Sequence, residues 1–160
     1  TSNSTSPTTL TNYYYAGTYK TTYYRLQNAA QANPSKTLLE EADKSFAHLN
    51  KVAPDFDGAY LSRAGIAKLM EVDPNAPTGL AKPYYEQFIE QVTVKQPEKA
   101  ANSVKGLVEA YGYLAFLLMD SDPTKSIELF NKVLELEPGN TYAADNIKYL
   151  NAVAAQKGSK

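Results

Sequence analysis

The residues that could do acid–base or metal chemistry in this sequence are few and scattered. His48 is the single histidine and there is no cysteine, so a zinc site would have to use carboxylates alone, which is poor zinc chemistry. Paired acids of the kind used in general acid–base or glycoside chemistry occur at Glu40–Glu41, Glu86–Glu90 and Asp120–Asp122. All of them, like His48, fall on predicted outer helix faces or turns. We therefore expect no catalytic residue, no metal site and no cofactor.

Charge and hydropathy exclude several other classes of function. The chain carries 16 basic and 17 acidic residues, a net charge of -1, so no strong field draws it to nucleic acid or to an anionic membrane. The longest apolar run, residues 111–119, is about half the length that spans a bilayer. The motifs GxSxG, GxGxxG and GxxxxGKS/T, which build nucleophile and phosphate sites, do not occur. We expect no nucleic-acid partner and no membrane insertion.

The clearest structural signal lies in residues 109–140, which predict two amphipathic helices joined by a turn at residues 120–123. Apolar side chains recur there at i, i+3, i+4 and i+7, one face of a helix of period 3.6. They are Tyr111, Leu114, Ala115 and Leu118 in the first helix, and Ile127, Phe130, Val133, Leu134 and Leu136 in the second. Helices of about a dozen residues are marginal alone in water. These two must therefore bury their apolar faces against each other and against neighbours.

The N-terminal region changes composition at Leu10. Residues 1–9 are rich in hydroxyl groups and have no large apolar side chain, so we predict a flexible tail or linker. The helix that follows is crowded with tyrosines, most of which we expect in the core. Its predicted buried face consists of Tyr15, Tyr19, Tyr23, Leu26 and Ala30, with Thr18, Thr21, Thr22 and Arg25 on the other face.

Capping residues mark the starts of further helices. Asn33–Pro34 and Asp122–Pro123 each place a capping side chain before a proline at the first helical position. A fourth helix is predicted to begin with Lys82 as its N-cap, and a last helix with Asn140. Seven helices result, and no segment has a strand pattern. The chain is predicted to be all-α.

The predicted helices repeat in pairs. An aromatic or aliphatic residue in each second helix lies eight residues before a proline: Phe46 before Pro54, Ile89 before Pro97, and Phe130 before Pro138. The first helices each carry a ring four residues before a small residue, in the pairs Tyr13–Gly17, Tyr60–Ala64 and Tyr111–Ala115. A small residue there lets neighbouring helices approach closely, and such hairpins stack side by side. We predict one domain at residues 10–156, with repeats at about 10–54, 55–97 and 100–138, a capping helix at 140–156 and a frayed end at 157–160.

The residues at these positions resemble a tetratricopeptide repeat. Its usual residues are Trp, Leu, Gly and Tyr, then Ala, Tyr or Phe, Ala and Pro; here they are matched by Tyr111, Leu114, Ala115 and Leu118, then Ser126, Phe130, Val133 and Pro138. Residues 79–92 are similar to tetratricopeptide proteins common in Bacteroidetes-type bacteria. The resemblance covers residues 10–156 and implies a right-handed superhelical array of three helical hairpins with a capping helix, an α-α solenoid. Proline spacings of 43 and 41 residues exceed the family's spacing of about 34, so insertions are expected in the turns.

The resemblance also implies a binding surface, because in the family the first helix of each hairpin lines the concave face. Alignment selects Tyr14, Thr18 and Thr21 in the first repeat, Leu61, Gly65, Lys68 and Leu69 in the second, and Glu109, Gly112, Phe116 and Met119 in the third. Only Lys68 and Glu109 among them are charged. The subgroup that grips the acidic tails of heat-shock chaperones needs a cluster of Lys, Asn and Arg, so that ligand is disfavoured.

These features predict a non-enzymatic protein-protein interaction module, a scaffold that binds an extended or helical segment of a partner protein or peptide in its groove. The alternative is a structural or oligomerisation segment of a longer repeat array, which would self-associate. An all-α hydrolase or lyase is a remote third hypothesis. The resemblance favours the periplasm or cell envelope of a bacterium and leaves the cytoplasm open. Because the chain starts at Thr1, we expect a cleaved signal or a longer parent chain upstream.

Overall fold

The chain is helical throughout its described regular structure, with no strand among the described residues. A computed structural model describes the backbone of residues 6–158 and the side chains of residues 6–156. The α-helices are α1 (Pro7–Ala29), α2 (Thr37–Val52), α3 (Asp57–Met70), α4 (Lys82–Glu90), α5 (Val104–Leu118), α6 (Pro123–Leu136) and α7 (Thr141–Gly158). The predicted all-α class of paired helices is confirmed.

The helices fall into two compact units, one ending at Gln91 and the other beginning at Val92. In the first unit α1 packs on α2, α2 on α3, and α3 on α4; in the second α5 packs on α6, and α6 on α7. The division falls inside the repeat predicted at residues 55–97. Helix α4 ends at Glu90, next to this division. A π-helical turn follows at Gln91–Lys95, and then a 3-10 helix at Pro97–Asn102.

The first helix begins earlier than predicted. The hydroxyl of Ser6 accepts a hydrogen bond from the backbone N–H of Thr9 at 3.3 Å, and Pro7 occupies the first turn. Residues 7–9 are therefore helical and not part of a flexible tail, because the hydroxyl-rich sequence supplies an N-cap. Residues 1–5 of the predicted tail lie outside the described residues. At the other end α7 extends to Gly158, two residues past the predicted end at 156, and residues 159 and 160 lie outside the described residues.

The predicted start of α2 at Asn33–Pro34 is wrong. Asn33 has a φ of 44°, a left-handed conformation that asparagine tolerates better than most residues, and the helix begins only at Thr37. Asparagine serves both turns and N-caps, so its identity alone did not decide between them.

The caps predicted at Asp122 and Asn140 are confirmed, whereas the one predicted at Lys82 is wrong, because α4 already includes Lys82 and its N-cap is Ala81. An Oδ1 oxygen of Asp122 accepts a hydrogen bond from the N–H of Lys125 at 3.0 Å, and the side-chain oxygen of Asn140 accepts one from the N–H of Ala143 at 2.9 Å. Each satisfies a backbone donor that the first turn of a helix leaves without a partner.

The core of the first unit is built around Phe46 of α2, which is buried together with other apolar residues of α1, α2 and α3. They are Tyr24, Leu39, Ala42, Leu49, Ala59 and Ile66. Gly17 of α1 lies directly against the Phe46 ring, and a Cβ atom at Gly17 would come within 2.5 Å of Phe46 Cε2. The expectation that a small residue in the first helix permits close approach is confirmed at this contact.

The predicted buried face of α1 is wrong. Tyr15, Tyr19, Tyr23 and Leu26 are exposed, as is Ala30. The buried residues of α1 are instead Gly17, Thr21 and Tyr24. Thr21 is compatible with burial because its hydroxyl donates a hydrogen bond to the Gly17 carbonyl at 2.9 Å. Close packing on Phe46 therefore decides which side of α1 faces inward, and the aromatic side faces solvent.

The tyrosines as a class are also less buried than predicted. Seven of the thirteen are exposed, namely Tyr13, Tyr14, Tyr15, Tyr19, Tyr23, Tyr142 and Tyr149. A phenol ring carries a polar hydroxyl that favours a surface position more than an aliphatic side chain does.

The core of the second unit follows the sequence prediction. Phe130 and Val133 of α6 are buried with Ala115 of α5 and with Ala143 and Leu150 of α7. The hydroxyl of buried Ser126 donates a hydrogen bond to the Ala115 carbonyl at 2.8 Å, which ties α6 to α5.

Two polar clusters hold the first unit together. The guanidinium of Arg63 on α3 binds Asp43 of α2 through two hydrogen bonds of 2.8 and 3.1 Å and lies 4.4 Å above the ring of Tyr84 on α4. Such a bidentate pair fixes the relative orientation of its helices as well as adding energy.

The second polar cluster surrounds Glu71, a buried carboxylate at the end of α3. Its two oxygens accept hydrogen bonds of 2.8 to 3.0 Å from the Thr78 hydroxyl and from the backbone N–H groups of Thr78, Gly79 and Leu80. Burial raises the pKa of Glu71, but these hydrogen bonds outweigh it and hold the pKa below its ordinary value. The carboxylate thus fixes the loop that leads into α4.

Candidate functional site

A cavity of about 260 Å³ lies between α1 and α3 in the first unit. It is lined by nine residues: Tyr14, Thr18, Thr21, Thr22, Arg25, Phe46, Leu61, Ser62 and Gly65. Five of them, Tyr14, Thr18, Thr21, Leu61 and Gly65, are residues that the sequence resemblance selected for a concave binding face. The structure brings these five together around one opening.

Aromatic rings form one wall of the cavity. The ring of Tyr14 packs edge-on against buried Phe46, with centroids 6.0 Å apart, and against Phe56, with centroids 5.6 Å apart. Tyr14 remains 36% exposed, so part of its ring is available to a ligand while the rest is fixed by two neighbours. A ring held in this way loses little conformational freedom when it binds.

Hydroxyl groups make up much of the remaining lining. Thr21 and Ser62 donate hydrogen bonds to carbonyl oxygens of their own helices, at 2.9 Å to Gly17 and 2.8 Å to Gly58. Each oxygen keeps its acceptor lone pairs for another group. The cavity therefore combines an aromatic wall with several small polar positions.

Arg25 is the one charged residue in this lining. Its guanidinium lies over Gly65, where an added Cβ atom would be 3.4 Å from Arg25 Nη2. Among the described residues no carboxylate lies within ion-pair distance of Arg25, so its donors face the cavity and solvent. The guanidinium can bind an acceptor oxygen of a ligand.

The site prediction missed four lining residues: Thr22, Arg25, Phe46 and Ser62. The sequence analysis places Thr22 and Arg25 on the same helix face as Thr18 and Thr21, and Arg25 lies one turn beyond Thr21, the last residue of α1 that the family alignment selects. Extending that face by one helical turn would have found Arg25.

Two predicted residues of α3 do not line the cavity. Lys68 is exposed, and Leu69 packs against the core of the first unit. Leu69 is therefore in part a core residue.

The four residues predicted for the third repeat belong to the second unit. Glu109 and Phe116 are exposed, and a Cβ atom at Gly112 would meet no atom within 4 Å, so these residues share an open helix face. Met119 packs against the core formed by α5, α6 and α7 and does not belong to that open face.

Two of the residues considered for chemistry, His48 and Glu41, contact neighbouring side chains in the structure. The ring of His48 stacks on Tyr13 with centroids 4.0 Å apart, and its Nε2 atom is buried without a hydrogen-bond partner among the described residues. His48 is thus less solvated than predicted. Lys20 forms a 2.7 Å salt bridge with Glu41, and this hydrogen bond and charge lower the pKa of the carboxyl group. Over the described part of the chain, no three potential metal ligands lie close enough together to hold an ion.

Comparison with known proteins identifies the class of fold. No family model and no curated protein matches the chain. Among solved structures, it is similar to the C-terminal part of a TPR repeat-containing protein from Cytophaga hutchinsonii, with a TM-score of 0.60 and 30% identity over 80% of this chain. The match spans 46% of the length of that solved structure.

The chain has the fold of a tetratricopeptide repeat protein, the class that its repeat positions predicted. This conclusion rests on the similarity to the Cytophaga structure and on the consecutive packing of helices within each unit. Within the described range, none of the helices is both long and apolar enough to cross a bilayer.

Proposed function

We propose that this chain is a non-enzymatic interaction module and that the cavity between α1 and α3 binds a segment of a partner protein. The observation that carries the proposal is the meeting of Tyr14, Thr18, Thr21, Leu61 and Gly65 around one cavity. Helical repeat proteins commonly bind their partners on extended concave surfaces. The similarity to a TPR repeat-containing protein supports the same class of function.

The size of the cavity favours a peptide side chain over a small-molecule ligand. Small-molecule pockets usually enclose about 300 to 1,000 Å³, whereas this cavity has about 260 Å³. One apolar side chain of a partner segment would lie against Phe46 and Leu61. Hydroxyl groups and the Arg25 guanidinium would then bind acceptor oxygens of the same segment, which orients it.

Gly65 offers a way to close the cavity without disturbing the core. A Cβ atom there would be in ordinary contact with Arg25 and with no other group within 4 Å. Substituting glycine inside a helix also favours the helix by about 1 kcal/mol. The series Gly65→Ala and Gly65→Leu should therefore fill the cavity progressively while the helix remains stable.

The test uses a displayed random-peptide library selected on the 160-residue chain, followed by calorimetric titration of the selected peptide. We expect affinity to fall from the natural chain to Gly65→Ala and further, by tenfold or more, to Gly65→Leu. Arg25→Ala should weaken binding, and Lys148→Ala, which removes an exposed cation from α7, should not. Thermal melting of each variant serves as the control for folding.

Selection of no peptide, or equal binding by the natural chain and Gly65→Leu, would contradict the proposal. A melting temperature that falls together with affinity in the Gly65 series would identify the position as structural instead.

A further inference from the structure

A stripe of apolar side chains runs along the solvent side of α1. It consists of Tyr15, Tyr19, Tyr23 and Leu26, called the α1 stripe below, whose residues are 64%, 71%, 44% and 64% exposed. The rings of Tyr19 and Tyr23 stack with centroids 6.3 Å apart and an interplanar angle of 13°. Contiguous exposed apolar groups of this extent mark interaction surfaces.

The repeat indicates what kind of surface would cover the α1 stripe. In the alignment of first helices that pairs Tyr13 with Tyr60, Tyr19 corresponds to Ile66 of α3. Ile66 is 1% exposed and packs with residues of α2 in the core of the first unit. The aligned position is therefore buried against a neighbouring helix in α3 but carries an exposed ring in α1. A helix is the partner that this face fits.

The charges around the α1 stripe place no obstacle to covering it. α1 contains only two charged residues, Lys20 and Arg25. Lys20 is neutralised by Glu41 at 2.7 Å, and Arg25 lines the cavity on another side of the helix. A partner helix would bury aromatic and aliphatic groups without burying an unpaired charge, which is strongly destabilising at an interface.

We propose that a second copy of this chain covers the α1 stripe, with the two α1 helices packed antiparallel about a two-fold axis. Residue numbers across the stripe are nearly symmetric about position 21. Antiparallel packing therefore sets Tyr15 opposite Leu26 of the second copy, and Tyr19 opposite Tyr23. A surface that matches itself in this way is what a two-fold interface requires.

The available area is enough for a weak dimer. A fully covered tyrosine buries about 150 to 250 Å², so the α1 stripe at its exposed fractions supplies roughly 500 Å² per copy. Two copies would bury on the order of 1,000 Å², the lower end of specific interfaces. Because interfaces of about 1,600 Å² already range from micromolar to picomolar affinity, we expect this smaller one at the weak end of that range or beyond it. This surface is separate from the cavity, so self-association does not depend on peptide binding.

Sedimentation velocity of the 160-residue chain tests the proposal over about 1 to 300 µM, a range chosen to detect weak association. The mass should rise from 17.6 kDa towards twice that value. Tyr19→Lys should weaken dimerisation at least tenfold, and Tyr15→Lys should do the same from the end of the stripe. Tyr149→Lys, at a tyrosine of α7 that is 59% exposed, is the matched control and should leave dimerisation unchanged.

Cross-linking tests the antiparallel register separately. The chain has no cysteine, so Tyr15→Cys and Leu26→Cys each introduce a single thiol. Antiparallel packing predicts that an oxidised mixture of the two variants forms mixed disulfides in preference to disulfides between identical positions.

A chain that remains monomeric at all these concentrations would overturn the proposal. The helix that covers the α1 stripe would then not come from a second copy of this chain. A dimer that both lysine variants retain would place the interface elsewhere. Disulfides mainly between identical positions would exclude the antiparallel arrangement.

Discussion

Helix α1 of the first unit and helix α6 of the second unit differ in where their aromatic and apolar residues lie. In α6 these residues face the core, whereas in α1 many of them face solvent. In α6 the buried Phe130 and Val133 lie on one side, and the ion pairs Lys125–Glu128 and Lys132–Glu135 lie on the exposed side. In α1 tyrosines occur on every side of the helix, and the side with the most rings faces solvent. Periodicity therefore located the core in α6 and missed it in α1.

The difference shows what a periodic pattern measures. A hydrophobic stripe predicts a buried face when the remaining positions are charged, because only one orientation keeps the charges in water. α1 has no such contrast, so the close fit between Gly17 and Phe46 decides its orientation instead. Matched substitutions in the two units test this difference.

Phe46→Ala and Phe130→Ala should each lower the free energy of unfolding of their own unit by about 3 to 5 kcal/mol, because each removes a buried ring. Urea denaturation followed by circular dichroism measures both. Phe116→Ala, at a ring that is 37% exposed, is the control and should cost much less. A small effect at Phe46 alone would show that α1 is not held by the contact described here.

Glu71→Gln should destabilise the first unit by about 2 to 3 kcal/mol near neutral pH, since a buried carboxylate that accepts several hydrogen bonds is replaced by an amide that can accept fewer. Because the folded-state pKa of Glu71 is lowered, its contribution is fully present above the ordinary carboxyl pKa and is lost as the pH falls through the folded-state value. The stability difference between the natural chain and the variant should therefore shrink in acid. Urea titrations at about pH 7 and pH 3, on either side of the ordinary carboxyl pKa, measure this change. A difference that is the same at both pH values would contradict the prediction.

Gly17→Ala and Gly112→Ala should act in opposite directions. At Gly17 the new methyl group would clash with Phe46 and cost about 1 to 3 kcal/mol. At Gly112 it would meet no atom within 4 Å, so the gain in helix propensity should stabilise α5 by about 0.5 to 1 kcal/mol. Thermal melting compares the signs. Stabilisation by Gly17→Ala would mean that the Phe46 ring can move aside freely.

Asp122→Ala should cost about 1 kcal/mol through loss of the cap on α6, and Ser6→Ala somewhat less. The shorter hydrogen bond, 3.0 Å against 3.3 Å, and the carboxylate at a helix N-terminus both favour the larger effect at Asp122. Calorimetric melting of the two variants checks the order. An equal or larger loss of stability with Ser6→Ala would show that the cap of α1 contributes more to stability than its longer hydrogen bond indicates.

Much of the fold was predictable because helix caps and apolar periodicity are local. Asp122 and Asn140 capped the helices as expected, and the contacts of Phe46 and Phe130 followed from their repeating positions. Asn33 was ambiguous because asparagine suits both a cap and a left-handed turn. The division of the chain after Gln91 falls inside a predicted repeat, where no local pattern in the sequence marked it.

The candidate site was predictable in part. The helix face with Tyr14 and Thr18 follows from the register that Gly17 sets, and α3 supplies Leu61 and Gly65 by the same alignment. Arg25 lies one turn beyond the aligned positions. Its role depends on the long α1 helix continuing past them to Ala29 and on the space above Gly65.

The sequence by itself determined that this chain would form consecutive helices, where α6 and α7 begin, and which rings anchor α2 and α6. Only the tertiary structure decided which side of α1 faces inward and which side chains meet at the cavity. The reason is physical: caps and periodicity act within one helix, whereas the fit of Gly17 under Phe46 and the meeting of α1 with α3 exist only once separate helices are packed together.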